Sequence, residues 1–216
     1  MCRLLLLHNP DGVDPATHLN DFRALSRHSK EYQGHGWGCA WLDEDRKWRL
    51  YHNIRPAWED RSPAVPRTPL FLAHARSAFR DEGIAIENNM PFDDGENVFV
   101  FNGELRGVRI REQGRIGAEK IFNYVKRLDK GDLGAAVQRG VDIIQKRTRY
   151  VRAMNFFLAN KRCVYIASVF NEDPDYFQLR QTTTDGTRIV CSEPYREREF
   201  AWERIPSQSV LSIGLS

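Results

Sequence analysis

Met1-Cys2-Arg3-Leu4-Leu5-Leu6-Leu7-His8-Asn9-Pro10 opens the chain. Four consecutive leucines, stopped by Asn9-Pro10, have the length and composition of a strand buried on both faces. Cys2 begins that strand. A small residue behind the initiator favours removal of Met1, which would leave Cys2 with both a thiol and a free α-amine. A thiol is a strong nucleophile only as thiolate, with a reference pKa of about 8.5. An α-amine, with a reference pKa of about 7.7–8.0, can take up a proton near neutrality. One residue could then supply nucleophile and base. The plain alternative is a small hydrophobe in a core strand.

Outward from this strand, Thr17 is expected to cap a short helix that presents Leu19, Phe22 and Leu25. Residues 36–41 and 48–52 read as a hairpin across a charged turn. Pro56, Pro63, Pro66 and Pro69 make 55–69 a loop. Residues 70–75 and 98–101 are apolar runs of strand length. The basic, Gly-rich stretch 106–117 is expected to be a mobile loop, placed to act as a lid. Two helical stripes follow, Ile121-Phe122-Val125-Leu128 and Leu133-Ala136-Val137-Val141-Ile144. Strands return at 153–159, 163–169, 176–182, 188–192 and 210–213, with turns at Asn160-Lys161 and Asp185-Gly186. Strands, then helices, then strands predict an α+β fold in which two mainly antiparallel sheets stack between helix layers.

The 216 residues suffice for one large domain, expected over 2–216, and can bury a core without metal or disulfide staples. A net charge of +3 is too small to argue for nucleic acid, and the basic residues Arg139, Lys146, Arg147, Arg149 and Arg152 lack aromatic interleaving, so they read as a solvated face. No apolar run approaches a membrane span or a secretory signal. Cys39, Cys163 and Cys191 lie in apolar strand patterns and are expected in the core. None of the four cysteines forms a CxxC pair or has a His at zinc spacing, so no cofactor or metal is expected, and a cytoplasmic, reducing setting is the simplest fit.

Three segments bear on Cys2. Gly34-His35-Gly36-Trp37-Gly38 has glycines at alternate strand positions, a sign of close backbone approach. In His74-Ala75-Arg76, an Arg directly after an apolar strand can reach into a cleft and bind a carboxylate bidentately. In Phe101-Asn102-Gly103-Glu104, an Asn amide beside a Gly N–H can make an oxyanion hole. Taken singly, each has a plainer reading: a hairpin start, a surface ion pair and a tight turn.

Taken in order, with Glu87-Asn88-Asn89-Met90-Pro91-Phe92 between the second and third and Cys191-Ser192-Glu193-Pro194, Trp202 and Ile205-Pro206 after them, these segments resemble the class II glutamine amidotransferases, a branch of the N-terminal nucleophile hydrolases. The resemblance spans nearly the whole chain and implies a four-layer αββα sandwich. It implies that Cys2 attacks the γ-carbonyl of a glutamine-like group with its own α-amine as base, that Asn102 and Gly103 hold the oxyanion, and that Arg76 grips the substrate's α-carboxylate. Gly36, Trp37 and His74 are expected to line the substrate site. A γ-glutamyl thioester would form and be hydrolysed by water.

The chain departs from the family pattern in places. The Ser/Thr-Asp-Ser/Thr-Glu run before the helices becomes Ile116-Gly117-Ala118-Glu119, so Gly117 stands where the resemblance implies an Asp for the substrate's α-amine. Met90 replaces a His before Pro91-Phe92, and His35 replaces an Asp. The length leaves no room for a synthetase domain. The expectation is therefore a compact hydrolase of a γ-glutamyl amide bond, with glutamine or a γ-glutamyl compound as substrate. The alternatives are a glutaminase subunit that passes ammonia to a separate synthetase partner, and a catalytically silent binding or regulatory homologue. Neither nucleic acid nor membrane is an expected partner.

Overall fold

The computed structural model describes residues 1–61 and 64–215. Pro63 of the proline-rich loop and Ser216 at the end of the expected domain lie outside the described residues. The leucine run becomes β1, Arg3–Val13, which outlasts the Asn9-Pro10 stop because pairing resumes at Val13↔Thr68 after an irregularity. Helix α1, Pro15–Arg27, follows. Its cap is Asp14, not Thr17: the Asp14 carboxylate accepts the Ala16 N–H at 3.0 Å and Pro15 takes the first helical position.

The expected hairpin is β2, Trp37–Leu42, and β3, Trp48–Asn53, and the run after it is β4, Thr68–Ala75. A short strand, β5 (Phe92–Asp93), precedes β6, Val98–Val108. Strand β6 runs straight through Asn102-Gly103, so this dipeptide makes no hairpin turn. Helices α2, Gly117–Leu128, and α3, Leu133–Lys146, occupy the two predicted stripes. The strands β7, Thr148–Ala159, and β8, Cys163–Ser168, come next.

The stretch 176–182 is not one strand. Asp173 adopts φ 46° and Pro174 starts a helical turn, α4 (Pro174–Phe177), which buries Tyr176 and Phe177; β9 begins only at Arg180 and ends at Thr184. Strand β10, Thr187–Cys191, closes a hairpin on β9 through Asp185 and Gly186, both at positive φ as a two-residue I′ turn requires. The last strands are β11, Glu203–Arg204, and β12, Ser209–Gly214.

Two antiparallel sheets result, ordered β11-β9-β10-β1-β4-β2-β3 and β12-β8-β7-β6-β5. Strand periodicity sorts the leucines between layers. Leu5 and Leu7 pack with Leu19, Phe22 and Leu25 of α1, while Leu4 and Leu6 belong to the core shared with the second sheet. That sheet's other face meets the helices, where Phe99 stacks on Phe122 of α2 at 5.2 Å. The layers are α1, sheet, sheet, α2–α3, the αββα sandwich expected. Cys39 and Cys191 are buried as expected, but Cys163 is only half-buried at the start of β8.

The stretch 106–117 is no free loop. Arg106–Val108 extend β6 and Gly117 opens α2. Between them Arg115 pairs with Glu119, Glu112 with Arg127, and Asn123 donates to the Gln113 carbonyl.

Candidate active site

Register brings Cys2, His74 and Arg76 to one end of the larger sheet. Arg3 pairs with Ala75 and Leu4 with His74, so Cys2 lies beside Arg76 where β1 and β4 end. The Cys2 thiol is buried. It accepts the Ser77 N–H at 3.5 Å and faces the Ser77 carbonyl at 3.8 Å. Burial raises its pKa, against the pull of the amino terminus, the Ser77 N–H and Arg76. With Met1 attached, Cys2 is a neutral thiol awaiting a base.

Arg76 is 5% exposed and has no carboxylate partner among the described residues. Its guanidinium donates only to neutral acceptors: the Gly83 carbonyl at 2.8 Å and the Asn89 side chain at 3.5 Å. Burial lowers its pKa. A desolvated cation that holds only neutral groups is poised for an anion. The Glu87–Phe92 motif serves this cradle: Asn89 binds Arg76 and the Asn53 carbonyl, and Asn88 braces Gly83. Gly36 accepts the Arg76 N–H through its carbonyl at 2.9 Å. Its φ is +103°, and a Cβ there would strike Asn89, so only glycine fits.

His74 and Asn102 lie between the two sheets, both fully buried; the His74 ring faces the Phe101 backbone, and neither polar atom of the Asn102 amide has a hydrogen-bond partner. Burial, then Arg76, drives the His74 pKa down to about 3, so its imidazole is neutral. An unpaired buried amide costs about 1–3 kcal/mol. Asn102 bears that cost with a free N–H₂ at the strand position just before Gly103. Gly103 is half-buried, and a Cβ on it would lie 2.1 Å from the Ala153 carbonyl oxygen, so the backbone there stays bare.

Trp37 is not brought to this site. Alternation along β2 turns it to the α1 side, fully buried, with its indole N–H on Asp60 at 2.8 Å. His35, by contrast, flanks the site: its Nδ1 accepts the Ala78 N–H at 2.9 Å, which leaves the proton on Nε2, 3.5 Å from Asp81.

Sequence reasoning did not find four further residues. Glu31 binds the Met1 ammonium, and the Met1 carbonyl accepts from Gln33 Nε2 and from the Tyr176 hydroxyl at 2.7 Å. Arg152 is not a solvated cation: it binds Glu31, Glu104 and Asp173. Burial pulls the Glu31 carboxyl up, but the Met1 ammonium and Arg152 outweigh it and hold its pKa below the usual range. No local pattern marks these residues, which converge from α4, β7 and the loop after α1. Among the described residues, no group of three or more His, Cys, Asp or Glu is placed to hold a metal ion, and no helix is long and apolar enough to cross a membrane.

No protein-family model matches the chain, and no curated protein matches it either. Solved structures do. A glutamine aminotransferase class-II domain protein from Silicibacter pomeroyi superposes with a TM-score of 0.68 at 18% identity, over 99% of this chain and 95% of that one. Glutamine phosphoribosylpyrophosphate amidotransferase from B. subtilis gives 0.65 at 14% identity; the match covers all of this chain but only 49% of that protein, so this chain spans about half its length. A predicted glutamine amidotransferase from Pseudomonas aeruginosa PA01 gives 0.55 at 15% identity, over 97% of this chain and 92% of that one. At these identities the likeness is one of architecture, and the chain has the fold of the class II glutamine amidotransferase domains.

Proposed function

We propose that this chain, once freed of Met1, hydrolyses a γ-glutamyl amide bond through a thioester on Cys2. One observation carries the reading. A buried thiol and a buried guanidinium without a carboxylate share one end of the larger sheet, and a buried amide without partners lies on the second sheet packed against it. These are the nucleophile, carboxylate anchor and oxyanion donor that acyl transfer from a glutamyl group needs.

Arg76 holds the α-carboxylate. The Cys2 α-amine takes the thiol proton as sulfur adds to the γ-carbonyl carbon, and the Asn102 amide and Gly103 N–H face the oxyanion. Collapse breaks the C–N bond, and the α-ammonium returns its proton to the leaving nitrogen. Water, deprotonated by the same amine, then attacks the thioester and releases a γ-carboxylate and the thiol.

Gly117 offers no carboxylate to the substrate's α-amine, and open space surrounds it. Glu119, two residues on, is committed to Arg115, whose Nη2 lies 2.5 Å away. Free glutamine therefore lacks its family partner at this point. The test is glutamate release from glutamine and from γ-glutamyl amides by Met1-free protein. Rates undiminished in Cys2→Ala would end the reading.

A second reading is a glutaminase subunit that delivers ammonia to a synthetase partner. The B. subtilis neighbour, about twice this chain's length and named an amidotransferase, favours it. Stimulation of glutamine hydrolysis by a co-purifying ligase would decide for it. The seating of Met1 favours a third reading, a silent homologue, which full retention of Met1 in the native host would support.

A further inference from the structure

Met1 occupies a built seat. Its ammonium pairs with Glu31, and its carbonyl accepts from both Gln33 and the Tyr176 hydroxyl. Its side chain, 11% exposed, packs on the cluster of Ala153, Tyr176 and Phe177, which Phe170 also flanks. The walls are braced independently of Met1. The Arg3 guanidinium lies 4.0 Å over the Tyr176 ring, Asn155 holds the Phe177 carbonyl at 2.7 Å, and Arg152 fixes Glu31. Gln33 is fully buried, bonds the Glu31 carbonyl at 2.8 Å, and keeps Oε1 without a partner.

A carboxylate for an ammonium, two donors for a carbonyl or carboxylate and an apolar floor for an unbranched side chain together recognise an α-amino acid. The thioester chemistry uses none of them. Excision of Met1 leaves this seat facing the new α-amine of Cys2, the group that must protonate whatever leaves.

We propose that the seat is the leaving-group subsite, and that the preferred substrate is a γ-glutamyl dipeptide whose second residue is an L-amino acid with an unbranched apolar side chain. This rests on the γ-glutamyl hydrolase reading. The departing residue's carboxylate takes the Gln33 and Tyr176 donors, and its side chain lies on the cluster of Ala153, Tyr176 and Phe177 that holds the Met1 side chain. Its nitrogen, freed when the C–N bond breaks, gains one proton from the Cys2 α-ammonium and a second from solvent, and leaves as an ammonium beside Glu31. Ammonia from glutamine leaves the whole seat unused.

The experiment uses Met1-free protein, with γ-glutamyl-methionine and glutamine as competing substrates and L-methionine as a calorimetric probe on the Met1-free Cys2→Ala protein. The expected kcat/KM for the dipeptide is higher by about tenfold or more, the scale set by one hydrogen bond and a few methylenes. Tyr176→Phe and Gln33→Ala each lower the dipeptide value several times more than the glutamine value, and Glu31→Ala weakens L-methionine binding. Equal kcat/KM values with no L-methionine binding would overturn the subsite and leave γ-glutamyl hydrolysis standing. A dipeptide preference that these variants leave intact would overturn it too. L-methionine binding without hydrolysis of either substrate would instead refute the hydrolase reading and keep the seat.

Discussion

The Asp60 cluster on the α1 side of the larger sheet and the groups near the sheet's Cys2 end both bury polar atoms, and they treat them in opposite ways. On the α1 side, the Trp37 indole N–H and the Tyr51 hydroxyl converge on Asp60 at 2.8 and 2.7 Å, and Tyr51 in turn accepts from Asn53 at 3.0 Å. Each donor is answered from within the chain. Near the Cys2 end, between the sheets, the Asn102 amide goes unanswered, and Arg76 has only neutral partners among the described residues. A satisfied buried network stabilises a fold, whereas an orphaned one costs stability and persists where something from outside completes it. The difference separates a structural cluster on one face of the larger sheet from a candidate site between the two sheets.

The sharpest attempt to break this contrast is Cys2→Ala. It should lower kcat by about 10⁴-fold or more, as loss of a nucleophile does, with the melting temperature unchanged. Asn102→Ala should cost about 10²–10³ in kcat, the scale of an oxyanion donor. It should not destabilise the fold as loss of a buried hydrogen bond would, because the free protein makes none there. Chemical denaturation beside steady-state kinetics checks both halves. Arg76→Gln should act mainly on KM, raising it about 10- to 100-fold, as loss of hydrogen bonds to a charged group does. A change confined to kcat would place Arg76 elsewhere in the reaction.

Asp60→Ala should do the reverse of Asn102→Ala. It leaves the Trp37 N–H and Tyr51 hydroxyl unpaired and should cost about 1–3 kcal/mol of stability, while kcat/KM holds. Loss of activity at unchanged stability would dissolve the comparison. The smallest effect is a pH dependence. The His74 pKa in the fold is about 3, lowered by burial and then by Arg76, against an ordinary value of 6.5. The unfolded chain therefore binds the extra proton first as pH falls. Stability is full above pH 6.5 and declines on acidification toward the folded pKa, by about 1 kcal/mol at pH 5.5. His18, lowered to about 4 chiefly by burial, works in the same direction. Denaturation midpoints from pH 8 to pH 5 should fall less steeply in His74→Gln.

Features encoded by short-range pattern were legible in the sequence. The leucine run, the two helical stripes of α2 and α3 and the Asp185-Gly186 turn depend on spacing alone. Cys2, Arg76 and Asn102-Gly103 each follow or begin an apolar strand, but it was the ordered resemblance to the glutamine amidotransferases, not local pattern, that singled them out. Alternation could also have removed Trp37, since it shares its face of β2 with Cys39 and packs on the α1 side with Phe71 and Ala73. Other features depended on contacts distant in sequence. Tyr176 looked like a strand residue until Asp173-Pro174 turned the chain, and Gln33 matters only because Met1 folds back upon it. Arg152 read as a surface cation because its three carboxylates come from residues 31, 104 and 173.

The central claim is that Cys2, with its amine free, carries the glutamyl group. The measurement is intact-mass and peptide analysis of Met1-free protein quenched by acid during turnover of a γ-glutamyl amide, beside protein that retains Met1. The account predicts one γ-glutamyl adduct, on Cys2, in the Met1-free protein and none in the other. Turnover without an adduct on Cys2, or an adduct that forms equally well with Met1 attached, would contradict it.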